Sequence, residues 1–144
     1  MRIVNEKISR ADLAKISEHY FGDMAKGVVD DEKEIVAIDA ELHADIAALL
    51  LENGSRQEQL WGINLYPDEN GENFVEFDSL INIRPRQNNR GRGVNDPAIR
   101  ERICEIIGRW FECASLCIMS LQVVGGRICR WRNKWETSEV RYPE

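Results

Sequence analysis

The sequence predicts an α+β domain with a mainly antiparallel, four-stranded sheet, helices on one face of that sheet and a C-terminal appendage. Two pairs of short apolar runs are each joined by a polar turn, which predicts two β-hairpins. Three other segments repeat apolar residues at helical spacing. At 144 residues the chain has the length of one domain. We therefore expect the order α-β-β-α-β-β-α within residues 1–112, with the appendage at residues 113–144.

The first helix is predicted at residues 10–21. Ser9 is a favourable N-cap residue, Asp12 stands three positions later, and apolar side chains then recur at helical spacing. Residues 24–29 and 34–38 follow as two short runs on either side of a polar turn. These runs predict the first hairpin.

A second, short helix and a second hairpin are predicted next. Asp45 precedes a run of strong helix formers at residues 46–52, so we expect it to be the N-cap. Residues 61–66 and 74–84 alternate in polarity around a turn-rich segment, which predicts two paired strands. One face of the second strand is apolar, with Val75, Phe77, Ile81 and Ile83. Its other face is largely polar, with Glu76, Asp78, Asn82 and Arg84.

The third helix has the clearest local signals. Asp96 stands at the N-cap and Pro97 at the first helical position, where its missing N–H costs nothing. An apolar stripe at helical spacing follows, consisting of Ile99, Ile103, Ile106, Ile107 and Trp110. This pattern predicts a helix that ends near Phe111.

The appendage is predicted to contain a hairpin and a polar tail. Gly125-Gly126 stands between two short runs at residues 121–124 and 127–131, which is typical of a two-residue hairpin turn. Residues 113–131 are apolar and contain cysteines. One functional hypothesis is therefore a structural subunit whose homodimer interface is formed by this segment.

Composition narrows the classes of function. The formal net charge is -6 and the pI is about 5.1, which argues against broad, non-specific binding of nucleic acid. No run approaches the roughly 20 apolar residues of a membrane-spanning helix. The four cysteines lie in the last third of the chain, and residues 1–10 lack the apolar core of a secretory signal. These features predict a cytoplasmic protein with reduced thiols and no membrane partner.

An arginine-rich loop is the leading candidate for a binding site. Arg84, Arg86, Arg90 and Arg92 follow the second strand of the second hairpin and precede the third helix, with no acidic residue among them. Guanidinium groups bind phosphate or carboxylate in a bidentate manner, and Asn89 adds a neutral donor. The main hypothesis is a small binding module whose partner is a phosphorylated metabolite or a short nucleic-acid segment. The alternative is that these arginines pair with the protein's own carboxylates.

A second candidate site combines Glu41, His43 and Asp45 with Asp78. The first three stand at alternate positions, so an extended backbone would project them to one face. A histidine between carboxylates can act as an acid or base near neutral pH or bind a divalent ion. The corresponding hypothesis is a metal-assisted phosphoesterase. Its alternative is that Asp45 only caps a helix and His43 is a hydrogen-bonded structural residue.

Several common enzyme motifs are absent from the chain. It contains no Gly-x-x-x-x-Gly-Lys phosphate loop, no Gly-x-Ser-x-Gly nucleophile turn and no dinucleotide-binding fingerprint after a first strand. No complete metal-ligand set and no cofactor can be assigned, and whether the protein is an enzyme is left open.

Scattered motifs between residues 2 and 111 resemble a family of small bacterial and archaeal proteins classified only as a domain of unknown function. The residues that carry the resemblance are Phe21-Gly-Asp-Met24, Glu41-Leu-His-Ala-Asp45, Leu60-Trp-Gly-Ile-Asn64 and Phe77-Asp-Ser-Leu-Ile-Asn-Ile-Arg-Pro85, with Val28-Val-Asp30, Tyr66-Pro67, Asn89-Arg90 and Gly93-Val94. The resemblance implies a prokaryotic, cytoplasmic origin. It implies no substrate and no catalytic residue, and it ends where the appendage begins.

Overall fold

The structure is a computed structural model that describes residues 1–112. The predicted hairpin, tail and homodimer segment at residues 113–144 lie outside the described residues. Residues 1–112 form five strands and three α-helices, in the order β1 (Arg2–Ile3), α1 (Arg10–Tyr20), β2 (Ala25–Asp30), β3 (Ile35–Ile38), α2 (His43–Glu52), β4 (Leu60–Leu65), β5 (Val75–Glu76) and α3 (Pro97–Trp110).

All strand pairs in this sheet are antiparallel, and the strand order is β1-β3-β2-β4-β5. The predicted α+β class and both hairpins are therefore confirmed. The predicted count of four strands is wrong, because β1 adds a fifth at the edge, where Arg2 and Ile3 pair with Ile38 and Ala37. Two residues are too few to produce an alternating pattern that sequence analysis could detect.

The helices lie on both faces of the sheet, and not on one face as predicted. Val29 and Ile63 belong to a core with α1 and α3. Val28 and Leu60, whose side chains point to the opposite face, pack against α2. The central strands are thus buried on both sides, which requires a helix on each.

Two of the three predicted helix caps are confirmed. Ser9 Oγ accepts a hydrogen bond from the Asp12 N–H at 3.2 Å, and Asp96 Oδ1 accepts one from the Ala98 N–H at 2.9 Å. The third is wrong, because α2 begins at His43 and Leu42 occupies the N-cap without a side-chain hydrogen bond. Asp45 lies in the first turn instead, where a negative charge is favourable at the positive end of the helix dipole.

The strand predicted at residues 74–84 is much shorter in the structure. Pairing with β4 ends at Glu76, and the chain then passes through 3-10 turns at Leu80–Asn82 and Pro85–Gln87. Ser79 Oγ accepts a hydrogen bond from the Ile81 N–H, which favours the first turn. Ile83, predicted to face the core, is 41% exposed, while Glu76 and Asn82 from the predicted polar face are buried.

The segment at residues 77–83 crosses very close to β4. A Cβ atom placed on Gly62 would lie 2.5 Å from both Cβ and Oγ of Ser79, so only glycine permits this approach. Asn82 is fully buried, and its side chain both accepts from the Gly62 N–H at 2.8 Å and donates to the Gly62 carbonyl at 3.0 Å. These contacts hold Asp78 and Ser79 above the sheet.

Among residues 1–112, none of the helices has the length and apolar character needed to cross a membrane.

Candidate functional site

A pocket of about 290 Å³ lies on the face of the sheet that packs against α2. Its walls come from β2, β4, the first turn of α2 and residues 77–83, which we call the crossing segment. The arginine-rich loop contributes one side chain. The polar residues that line it are Lys26, His43, Asn64, Asp78, Ser79 and Arg92. The remaining lining is apolar.

A row of polar side chains crosses three neighbouring strands beneath this pocket. Lys26 of β2 pairs with Asn64 of β4, and Asn64 pairs with Glu76 of β5. Glu76 Oε2 accepts hydrogen bonds from Asn64 Nδ2 at 3.0 Å and from the Tyr66 hydroxyl at 2.6 Å. Burial and the neighbouring Glu76 carboxylate raise the pKa of Tyr66, so Tyr66 keeps its proton and acts as a donor.

The amide of Asn64 is only half satisfied by the described residues. Its nitrogen donates to Glu76, whereas its buried oxygen Oδ1 makes no hydrogen bond of standard geometry within residues 1–112, although the Asn64 side chain interacts with the nearby His43 ring. The residue is 5% exposed. Leaving a buried acceptor unpaired costs about 1–3 kcal/mol. This oxygen is enclosed by protein atoms, so Asn64 contributes to the pocket as a buried polar group beside His43.

The His43 ring lies beside Asn64 in the same pocket. Its Nε2 lies 2.8 Å from the carbonyl oxygen of Ile63. A carbonyl can only accept, so Nε2 must carry a proton. Burial, together with the nearby Lys26 ammonium, lowers the pKa of His43 and outweighs the opposing effects of the Ile63 carbonyl, Asp78 and the Asn64 side chain. In the resulting neutral ring, Nδ1 keeps its lone pair.

The lowered pKa of His43 predicts a pH-dependent stability. The unfolded chain takes up this proton near the ordinary value of 6.5, whereas the folded chain does so only at lower pH. The contribution of His43 is thus fully present above pH 6.5 and is lost as the pH falls through the folded-state pKa. We expect His43→Gln to flatten the decline in the free energy of unfolding between about pH 6.5 and pH 5.

Urea denaturation at a series of pH values measures this effect, with His19→Gln on the exposed side of α1 as the matched control. A wild-type slope in the His43→Gln protein would show that another group is responsible.

Arg92 is brought to the pocket by the backbone of its loop. Its carbonyl accepts from the Ser79 N–H at 3.0 Å and from Asn82 Nδ2 at 2.9 Å. Its Nε forms an ion pair with Asp78 Oδ1 at 2.6 Å. Both side chains are partly exposed, so we expect this pair to stabilise the fold by no more than about 1 kcal/mol. Its main effect is to orient the guanidinium at the pocket.

The other three arginines of the loop do not line this pocket. Arg84 lies 4.3 Å above the centre of the Trp61 ring and donates to the carbonyls of Ile81 and Gln57. Its burial lowers its pKa. It borders a separate cavity of about 200 Å³. Arg86 and Arg90 are exposed, and neither makes a hydrogen bond or ion pair within the described part of the chain.

Asn89, the predicted neutral donor of the loop, is buried, and its side chain forms hydrogen bonds with nearby backbone groups. Its Nδ2 donates to the carbonyls of Asn82 at 2.6 Å and Gly93 at 2.7 Å, and its Oδ1 accepts from the Asn95 N–H at 2.8 Å. Interpreting it as a ligand donor therefore conflicts with its contacts. Asn89 shapes the loop that carries Arg92.

The group of Glu41, His43 and Asp45 does not assemble as the sequence suggested. An extended backbone would have placed the three side chains on one face, but α2 begins at His43. Glu41 and Asp45 are exposed and do not line the pocket, whereas His43 and Asp78 both do. Residues 1–112 contain no group of three or more histidine, cysteine or acidic residues suited to hold a metal ion.

Sequence analysis missed two residues of the pocket, Lys26 and Asn64. Asn64 is the single polar residue of β4, and Lys26 is one of two polar residues of β2, with Asp30 at the end of that strand. A buried strand with one polar side chain is a signal for a site, because burial of that group must be compensated. Their pairing across β2 and β4, however, depends on the register of the sheet, which neither segment encodes by itself.

The family described as "Protein of unknown function (DUF5674)" matches residues 2–110. Neither a curated protein nor a solved structure matches the chain.

Proposed function

Since the chain belongs to this DUF5674 family, whose description assigns no activity, we propose a function from the pocket itself. The protein binds a small molecule that carries a carboxylate or phosphate group, held between Lys26 and Arg92. The resemblance found in the sequence is confirmed by the family match and adds no substrate.

The observation that carries this proposal is the meeting of two cations in one largely apolar pocket. The charged side chains among its lining residues are Lys26, Arg92 and Asp78, and His43 is neutral at pH 7. The local charge is therefore positive in a chain whose formal net charge is -6. Apolar walls strengthen the attraction of these cations for an anion by lowering the local dielectric constant.

Both cations retain the capacity to bind a ligand. Lys26 makes no ion pair within residues 1–112, and its Nζ instead lies 4.7 Å from the centre of the Phe21 ring. Arg92 uses its Nε for Asp78, and a guanidinium has four further N–H donors. The pocket volume of about 290 Å³ is at the lower end for small-molecule sites. A compact anion fits this volume better than a nucleic-acid strand.

The phosphoesterase and homodimer hypotheses remain predictions. The metal-assisted phosphoesterase needs a ligand set that residues 1–112 do not assemble from Glu41, His43 and Asp45. The homodimer hypothesis depends on residues 113–131, which lie outside the described residues.

Calorimetric titration of the full chain with small anions tests the proposal, using inorganic phosphate, ethyl phosphate and succinate as probes at low and high salt. We expect at least one probe to bind and to weaken as salt increases. Lys26→Met and Arg92→Gln should each reduce its affinity by about 10-fold or more, because each removes a charge-assisted hydrogen bond.

Arg90→Gln is the matched control, since Arg90 lies in the same loop but outside the pocket. Its affinity for the probe should equal that of the wild type. The proposal fails if no probe binds in a salt-sensitive way, or if Arg90→Gln weakens binding as much as Arg92→Gln does.

A further inference from the structure

A second cavity, of about 200 Å³, adjoins the pocket that contains Lys26 and Arg92. Both are lined by Ala44 of α2 and Ile81 of the crossing segment, so the two cavities form one groove. The apolar lining of the second cavity consists of Ala44, Ala47, Ala48, Leu51, Leu60 and Ile81. A ligand that extends from the pocket past Ala44 therefore meets apolar side chains.

Three leucines on the walls of this groove are exposed to solvent. Leu42 and Leu80 are 53% and 68% exposed in the pocket, and Leu51 is 41% exposed in the second cavity. The described part of the chain exposes only six large apolar side chains, so half of them line the groove. Apolar groups that cluster in a concave site are typical of a binding surface, because a ligand removes them from water. A small anion held between Lys26 and Arg92 would leave Leu51 exposed.

The cation of the second cavity differs from those of the pocket, because the protein already supplies its partners. Arg84 donates to the carbonyls of Ile81 and Gln57 and to the side chain of Gln87, and it lies over the Trp61 ring. These contacts hold its guanidinium in place at the edge of the cavity. The groove thus has one end with cations available to a ligand and one end that is mainly apolar.

We propose that the ligand is a soluble amphiphile whose anionic head group lies between Lys26 and Arg92 and whose short aliphatic chain lies in the second cavity. A short-chain alkyl phosphate or fatty acid has this chemistry. Cavities of about 290 Å³ and 200 Å³ are too small for a membrane lipid with two long chains. This inference rests on the proposed function, because the head group is the anion assigned there and only the chain is new.

A series of alkyl phosphates with the same head group tests the chain. Ethyl, butyl and hexyl phosphate are titrated calorimetrically into the full-length protein, below the concentrations at which they form micelles. Complete burial of one methylene group raises an affinity about 4-fold. Because its leucines are exposed, the groove is open to solvent, and we expect about 2-fold for each methylene, which gives about 16-fold between ethyl and hexyl phosphate.

A probe of nearly equal length with a polar end distinguishes an apolar cavity from one that only has room for a longer ligand. 6-Hydroxyhexyl phosphate should bind more weakly than hexyl phosphate, because its hydroxyl group loses water on entering the apolar cavity. Tighter binding of the hydroxyl compound would overturn the inference.

Two substitutions assign the effect of chain length to the second cavity. Leu51→Gln and Ala48→Gln each place a polar side chain on its wall, and neither residue lines the pocket that contains Lys26 and Arg92. Both positions are exposed, so both variants should fold. The ratio of the hexyl to the ethyl phosphate affinity should fall to about 4-fold or less. Ala11→Gln, at an exposed position of α1 on the opposite face of the sheet, is the matched control and should keep the wild-type ratio.

The outcomes separate this inference from the proposed function. If no probe binds in a salt-sensitive way, the proposed function and the inference fall together. Equal affinities along the alkyl series would overturn the inference and leave anion binding intact. A wild-type ratio in both Leu51→Gln and Ala48→Gln would overturn it as well, since the chain would then lie elsewhere.

Two further measurements identify other occupants of the groove. We expect Leu80→Gln to leave the mass in light scattering unchanged, and the protein not to sediment with vesicles of phosphatidylcholine and phosphatidic acid. A mass that Leu80→Gln reduces by half would assign the groove to a second copy of the chain. Sedimentation with vesicles, together with equal affinities along the alkyl series, would assign it to a membrane surface. Either result would overturn the inference.

Discussion

Gly62→Ala is expected to destabilise the protein by about 3 kcal/mol, because the new methyl group has no space. Its Cβ would lie 2.5 Å from Cβ and Oγ of Ser79. Ser79 cannot relieve this contact by rotating its side chain, since its Cβ is fixed by the backbone. The crossing segment would have to move away from β4, and Asp78 and Arg92 would move with it. We therefore expect loss of probe binding in addition to loss of stability.

Gly27→Ala is the matched control for this substitution. Gly27 lies in the neighbouring strand β2 and is also buried, but its new Cβ would meet its nearest neighbour, Ile38 Cγ2, at an ordinary 3.4 Å. Alanine also loses less backbone entropy on folding than glycine does, so we expect a change below about 1 kcal/mol. Urea denaturation of the two variants measures the difference. Equal stabilities would contradict the close approach at Gly62.

Asn82→Ala should lower the melting temperature by about 10 °C, corresponding to roughly 3 kcal/mol. The Asn82 side chain makes three hydrogen bonds, two to the backbone of Gly62 and one to the carbonyl of Arg92. Alanine would leave these groups without that partner in a fully buried position, and it would also leave a small cavity. Arg92 would lose one of the contacts that hold it at the pocket.

Thermal denaturation followed by circular dichroism measures this effect, and Asn73→Ala provides the control. Asn73 is exposed, and its side chain makes no hydrogen bond within residues 1–112. Its substitution should change the melting temperature by no more than about 2 °C. A similar small change for Asn82→Ala would mean that its hydrogen bonds contribute little to stability.

Sequence analysis predicted a structural feature correctly where the contact that determines it joins residues close together in the chain. Ser9 and Asp96 form their capping hydrogen bonds with residues three and two positions away, so their patterns are visible in a short window. The end of β5 was not predictable in this way. Residues 77–83 keep apolar side chains at Phe77, Ile81 and Ile83, as a strand would, yet they leave the sheet. The contact between Asn82 and Gly62, which are far apart in the chain, holds them in this path.

The candidate site shows the same limit. His43, Asp78 and Arg92 were each identified from local charge and residue type, and all three line one pocket. Arg84 looked equivalent to Arg92, but its position is determined by Trp61 of a distant strand. Asn64 and Lys26 became recognisable only when the register of β2 and β4 paired them. The kinds of side chain in the pocket could thus be predicted from the sequence. Which individual residues line it depends on tertiary contacts.

The contact between Asn82 and Gly62 also affects the edge of the sheet at β4. β5 pairs with β4 at Asn64 and Leu65, so no other strand of residues 1–112 covers the edge of β4 towards its start. An uncovered edge offers unpaired N–H and carbonyl groups to a strand from another molecule, which is a common route to aggregation. The amide of Asn82 occupies both backbone groups of Gly62. A single side chain thereby blocks growth of the sheet at this position without the length of chain that a sixth strand would need.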